Sequence, residues 1–367
     1  MAASVCFLVP NLGNMGGSVR VAVQLANALS KDREVSIVSC MHYDKPAFSV
    51  DPSVACFDAA IGSGRIREMV ARARKALPPL LKKSGCELVF GIGTYETLMA
   101  IQPCRSLKIP LVFCDHGALI NQWDDKQMRM VRLLCALFSK RTVTLTSHSL
   151  EDYARLLHIP RRKLQCIPNA IPAQIADVPH CYNAESKRLL WAGRLDKEKG
   201  VDHLISIAAK VLPQHSDWKW DVYGETVMAG SGFDVHAAIK EAGLESQLIL
   251  KGRVDNMFDL YDSYAICTLT SYREGLPLVL LEGMGCGLPL ISFDVNTGPA
   301  DIIKEGKNGY LIPCYDIDAY ARRLSEMMGN ASMRSRMSQE SLQAARDFSE
   351  TGIVSSWEEL VNSILGS

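Results

Sequence analysis

Two carboxylates eight residues apart, Glu274 and Glu282, bracket a run of apolar residues, Gly275-Leu276-Pro277-Leu278-Val279-Leu280-Leu281. The preceding stretch, Ala265–Thr270, reads as a strand and Ser271–Gly275 as a loop. A helix is expected to begin near Leu276, with Pro277 in its first turn, where the missing N–H is no loss. The amides of Gly275 to Val279 and the helix dipole then form an anion site. Glu274 would stand just ahead of the helix and Glu282 about two turns into it. Carboxylates accept hydrogen bonds from vicinal hydroxyls, so a sugar or a ribose suits both. Spacing alone leaves a second reading open, in which Glu282 is a solvated helix residue and Glu274 a helix N-terminal charge.

A basic pair complements these acids. In Trp191-Ala192-Gly193-Arg194-Leu195-Asp196-Lys197-Glu198-Lys199-Gly200, Arg194 ends a strand and Lys199 precedes a helix. Both can converge on a phosphate at that end of a sheet. Near the N-terminus, Asn11-Leu12-Gly13-Asn14-Met15-Gly16-Gly17-Ser18-Val19-Arg20 follows the first strand and opens a helix. It suits phosphate, but its glycine spacing is not the dinucleotide fingerprint, and no acidic residue closes the strand Val35–Ser39. His116 follows the strand Leu111–Cys114, where a histidine is as readily structural as functional.

These motifs need elements to hold them. Val5–Val9, Val35–Ser39, Leu88–Gly91, Leu111–Cys114 and Arg141–Thr146 read as buried parallel strands, with helical patterns such as Arg20–Leu29 and Arg65–Leu81 between them. The alternation pauses at the proline-bearing stretch Ile167–Pro179, the expected linker. It restarts with Arg188–Ala192, Lys219–Val222, Leu248–Leu250, Ala265–Leu269 and Leu288–Phe293, and helices at Val201–Val211, Val235–Ala242 and Pro277–Gly283. Two doubly wound α/β domains are the expected class. Their boundaries fall at 1–170 and 171–352, with a last helix, about 353–367, packing back on the first.

The run Glu274–Glu282, continuing through Gly283-Met284-Gly285-Cys286-Gly287-Leu288-Pro289, resembles the E-x7-E signature of family 4 retaining glycosyltransferases of the GT-B fold. The resemblance implies two Rossmann-like domains facing a central cleft. It assigns Glu274 to the donor sugar near its C3 and C4 hydroxyls and Glu282 to the ribose. Arg194 and Lys199 match the family's G-R-L-x-x-x-K-G pattern and would clamp the donor diphosphate; Lys197 is not selected. Gly16 and Gly17 resemble the G-G-x-x-R loop, and His116 the histidine beside the donor sugar. Val254, in Lys251-Gly252-Arg253-Val254, resembles the stretch that meets the base, and Gly275, Leu276 and Pro277 complete the donor set. Tyr223-Gly224-Glu225 departs from the usual G-x-G. The implied donor is a nucleoside-diphosphate sugar, by family frequency a UDP-sugar, and the acceptor a glycan or lipid-linked glycan. Transfer of a hexose or N-acetylhexosamine would proceed with retention and without a metal, and no further cofactor is expected. Asp316-Ile317-Asp318 lies after the donor motifs and is not read as a metal site.

Composition sets the frame. The 367 residues are 48% apolar and 22% charged with zero net charge, a globular chain of two-domain size. Residues 1–170 carry 22 Lys/Arg against 13 Asp/Glu, and residues 171–367 carry 18 against 27. Twelve scattered cysteines, with no C-x-x-C pair and no His spacing that suggests a zinc site, read as reduced thiols in a cytoplasmic protein. The apolar N-terminus lacks a basic flank and reads as a strand, not a signal peptide. Residues 64–83 hold seven Lys/Arg and one Glu, and 126–141 form a second basic amphipathic stretch. Such faces are commonly just solvated; the alternative is docking on an anionic membrane, at its inner face, beside a lipid-linked acceptor. No nucleic-acid partner is expected. The rival readings are a nicotinamide-dependent oxidoreductase, which the missing fingerprint disfavours, and a non-catalytic nucleotide-sugar-binding protein.

Overall fold

A computed structural model describes residues 2–225, 234–254 and 256–366. The chain divides into two units, Met1–Asn169 with Thr351–Ser367, and Ala170–Glu350.

In the first unit β1 (Val5–Val9), α1 (Gly17–Leu29), β2 (Val35–Ser39), β3 (Ala55–Asp58), α2 (Ile66–Ser84), β4 (Leu88–Ile92), α3 (Thr94–Leu107), β5 (Leu111–Asp115), α4 (Lys126–Phe138), β6 (Arg141–Thr144), α5 (Ser147–Leu156) and β7 (Leu164–Cys166) follow one another. The sheet order is β3-β2-β1-β4-β5-β6-β7, and every pairing is parallel. β1, β2, β4 and β5 are buried at every residue, which is why they read as unbroken apolar runs.

The second unit repeats the plan. It contains α6 (Ala173–Ala176), β8 (Arg188–Ala192), α7 (Val201–Val211), β9 (Lys219–Tyr223), α8 (Val235–Glu241), β10 (Leu248–Gly252), β11 (Ile266–Leu269), α9 (Leu278–Gly285), β12 (Leu290–Phe293), α10 (Pro299–Ile302), β13 (Gly309–Ile312), α11 (Ile317–Gly329) and α12 (Ala331–Ala345). The sheet order is β10-β9-β8-β11-β12-β13, again parallel. Trp191, Trp220, Phe293 and Tyr320 are among the fully buried side chains of its core.

The last helix, α13 (Glu350–Leu365), buries Ile353, Trp357, Leu360 and Val361. Trp357 meets Phe90 of β4 edge-on, with centroids 5.3 Å apart. Three strands that the apolar runs do not announce, β3, β7 and β13, all lie at sheet edges. An edge strand is paired on one side only and can be short and partly polar, as β3 and β7 are. Among the described residues no helix is long and apolar enough to cross a membrane.

Candidate functional site

In both sheets the strand order reverses beside the first strand, between β1 and β4 and between β8 and β11. Ligands of doubly wound sheets bind beyond the strand carboxyl ends at such a switch point. In the second unit the basic motif leaves β8 there and the carboxylate motif leaves β11 there.

Backbone contacts lock the two loops together. Thr270 Oγ1 accepts from the Trp191 indole at 2.9 Å and donates to the Gly200 carbonyl at 2.9 Å. Gly200 has φ +67°, and a Cβ there would stand 1.9 Å from the Thr270 carbonyl oxygen, so only glycine fits. That fixes Lys199 one residue earlier. Lys199 Nζ donates to Glu274 Oε1 at 2.7 Å, and the Ser271 hydroxyl donates to the same oxygen at 2.7 Å. Behind Glu274, the Thr297 hydroxyl donates to its carbonyl at 2.6 Å. Gly298, at φ +97°, presses against the Gly275 carbonyl and the Pro277 ring, where a Cβ would come within 2.5 Å and 2.8 Å. The late Thr297-Gly298-Pro299 segment therefore braces Glu274-Gly275-Leu276-Pro277 from behind.

Glu274 is buried, at 8% exposure, and Glu282 at 3%. Neither is a solvated helix charge. α9 is apolar all round, with every residue from Leu280 to Gly285 buried, as an interior helix must be. Within it Glu282 Oε2 accepts from the Tyr261 hydroxyl at 2.6 Å. The start of α9 corrects the expected one. The helix begins at Leu278, Pro277 is its N-cap, and Gly275 and Leu276 belong to the loop. A residue preceding proline is held out of the helical region, so Leu276 cannot open the helix.

Arg194 is more exposed than Lys199. Its guanidinium lies 3.2 Å from Asp196 and 3.5 Å from Glu198, with 58% of its side chain exposed. Glu198 also holds Arg273 at 2.8 Å. Exposed pairs of this kind are weak, so Arg194 can turn toward an anion at little cost. Lys197 points to solvent. Val254 lies half-buried just past β10, the edge strand, two strands from β8. Asp316 of the D-x-D is the N-cap of α11, accepting from Ala319 N at 2.8 Å, and Asp318 pairs with Lys210 at 3.0 Å.

The first unit carries a different set. Gly16 is the N-cap of α1 and Gly17 its exposed first residue; a Cβ on Gly16 would meet nothing within 4 Å. His116 follows β5 half-buried. Burial pushes its pKa down to about 4, against an opposing pull from Asp115, so the ring is neutral at pH 7. Asp115 anchors the loop beneath it, accepting from the Tyr153 hydroxyl at 2.7 Å and the Gly117 amide at 3.1 Å and pairing with Arg132 at 3.2 Å. Glu96 was not among the expected site residues. It sits in the first turn of α3, beyond β4 at the switch point, and burial raises its carboxyl to about 7. Its sequence signal was a lone carboxylate after Gly91-Ile92-Gly93, which matches no pattern. Tyr261 was equally silent, because it acts through a partner distant in sequence.

Comparison with known proteins matches residues 15–174 to Glycosyltransferase Family 4 and residues 179–344 to Glycosyl transferases group 1. The chain is a family 4 glycosyltransferase of the GT-B fold. This transferase is 25% identical over 98% of its length to an exopolysaccharide phosphotransferase of Streptomyces coelicolor, of which it spans 41%. It is 27% identical, over 97% of this chain and 98% of the relative, to a Campylobacter jejuni GalNAc-alpha-(1->4)-GalNAc-alpha-(1->3)-diNAcBac-PP-undecaprenol alpha-1,4-N-acetyl-D-galactosaminyltransferase. Among solved structures it resembles S. aureus TarM, in complex with Fondaparinux, alpha-GlcNAc-glycerol and UDP. That match has a TM-score of 0.83 at 15% identity and covers 98% of this chain and 100% of TarM.

Proposed function

We propose that this glycosyltransferase moves a hexose or N-acetylhexosamine from a nucleoside-diphosphate sugar, a UDP-sugar, to a glycan or lipid-linked acceptor with retention of anomeric configuration. The observation that carries the reading is the Lys199–Glu274 contact of 2.7 Å at the switch point of the second sheet. It puts a fixed cation beside a buried carboxylate, one suited to the diphosphate and the other to sugar hydroxyls. Glu282, buried in the helix that follows, takes the ribose. UDP in the TarM complex and the undecaprenol-linked acceptor in the Campylobacter relative's name support the donor and acceptor classes.

In this reaction the bond from the anomeric carbon to the diphosphate oxygen breaks and a bond to the acceptor oxygen forms on the same face. The acceptor's proton passes to the departing phosphate oxygen. Lys199, Arg194 and the amides at the start of α9 stabilise the charge that grows on the leaving group. Glu274 orients the sugar hydroxyls. We assign Gly16, Gly17 and the neutral His116 to donor contacts, Val254 to the base, and Gly275, Leu276 and Pro277 to the phosphate loop. These charges serve the leaving group without a metal, and we assign no protein nucleophile. A panel of nucleotide sugars tests the reading through nucleoside-diphosphate release and the product's anomeric configuration by NMR. Inverted product, or release from no member, overturns it.

We further propose that the first unit docks on an anionic membrane, at its cytoplasmic face. Arg65, Arg67, Arg74, Lys75, Lys82 and Lys83 of the 64–83 stretch are exposed, and α4 exposes Met130, Leu137 and Phe138 between Lys126 and Lys140. Arg132 departs from the basic face assumed for 126–141, because it is buried against Asp115. Co-sedimentation with neutral and anionic vesicles tests the docking: anionic vesicles alone should retain the protein, and equal binding to both, or none, refutes it.

A further inference from the structure

We propose that the second unit holds a divalent cation of the zinc class between His180, Asp262 and Cys286. The three come from separate stretches: His180 precedes β8, Asp262 lies in the short turn Phe258–Ser263 ahead of β11, and Cys286 closes α9. Their ligand atoms lie within 4.8 Å of one another. An imidazole nitrogen, a carboxylate oxygen and a sulfur form a mixed donor set that zinc accepts, with a fourth position left for water.

The imidazole is already turned for this task. Its Nε2 lies 2.9 Å from the Ile175 carbonyl oxygen, which can only accept, so Nε2 carries the hydrogen. Nδ1 then faces Asp262 Oδ1 at 2.8 Å. A backbone carbonyl holding the far N–H is the usual support of a metal-bound histidine. The His180 side chain is 7% exposed and Cys286 is 1% exposed, so two of the three ligands are fixed by packing. The Asp262 side chain is 47% exposed and can rotate inward, drawing the set toward the roughly 3.5 Å ligand separations of a tetrahedral ion.

The site is distinct from the Lys199–Glu274 pair but borders Glu282. Cys286 N donates to the Glu282 carbonyl at 3.0 Å, and Asp262 follows Tyr261, the hydroxyl donor to Glu282. A bound ion would tie the Phe258–Ser263 turn, which carries the Tyr261 hydroxyl that donates to Glu282, to the end of α9.

Cobalt(II) titration of the metal-stripped full-length protein tests this. One equivalent should produce a thiolate-to-cobalt charge-transfer band that zinc displaces. Cys286→Ser should abolish the band, while Cys181→Ser, at the exposed neighbour of His180, should keep it. Asp262→Asn, at a half-exposed position that leaves the core intact, should weaken binding at least roughly tenfold. Absence of the band in the wild-type protein, its survival in Cys286→Ser, or its loss in Cys181→Ser overturns the proposal. Nucleotide binding plays no part in the readout.

Discussion

The two switch points are built on one strand order and furnished differently. Beside β8 and β11 the groups are charged and already engaged: Lys199 with Glu274, Arg194 with Asp196 and Glu198, Glu198 with Arg273. Beside β1, β4 and β5, His116 and Glu96 are held toward neutrality, by pKa values near 4 and near 7, and the charged pair Asp115–Arg132 is buried. Glycine backbone at Gly16 leaves open space there, and Gly17 is exposed. A diphosphate leaving group needs positive charge close at hand, and Lys199 and Arg194 are the groups of the second unit suited to provide it. Neutral groups and bare backbone suit hydroxyl-bearing ligands, which bring no charge to balance.

The largest expected effect falls on the charged side. Glu274→Ala removes the carboxylate that Lys199 and Ser271 hold, and turnover should fall by about 10²–10³-fold, of the order seen when one transition-state contact is lost. UDP affinity should change much less, because Lys199 is then released to the diphosphate. Parallel loss of turnover and affinity would place Glu274 on the nucleotide instead.

Glu96 probes the neutral side through stability. Its folded pKa, near 7, lies above the ordinary carboxyl value of 4.5, so the native state holds a proton that the unfolded chain releases between those limits. Native stability therefore gains as pH falls from about 7 to 4.5, and the full burial penalty applies above 7. At about 1.4 kcal/mol per pKa unit, Glu96→Gln should gain about 3 kcal/mol over the wild type at pH 8 and lose that advantage near pH 4.5. Thermal melts across that range check it; a difference independent of pH would show that Glu96 is not held neutral.

Glu282→Gln should lower UDP affinity by roughly tenfold through a weakened ribose contact, the scale of one charge-assisted hydrogen bond. Calorimetry reads this, and unchanged affinity removes the ribose assignment. The smallest effect concerns the surface of the first unit. Phe138→Ser should reduce anionic vesicle binding by a few-fold with no change in UDP affinity. A loss of both would mean that the substitution perturbs the fold and not a docking face.

Much of this could be read in the sequence where function rests on contiguous residues. The stretches Trp191–Gly200 and Glu274–Glu282 are local, and their strands are buried on both faces, so periodicity and motif agree. The short, partly polar edge strands β3 and β7 escaped because one-sided pairing demands less apolar sequence. The helix start moved from Leu276 to Leu278 because the constraint on residues before proline outweighed the periodic pattern. Glu96, Tyr261 and the His180–Asp262–Cys286 cluster escaped for another reason. Each depends on neighbours brought together by the sheet order, and no spacing along the chain encodes that.

Calorimetric titration of UDP into the wild type and the Arg194→Ala/Lys199→Ala double variant checks the proposal that the second unit grips a nucleoside diphosphate through these two cations. The wild type should show a single site and the folded double variant no measurable binding. Undiminished UDP affinity in that variant would contradict it.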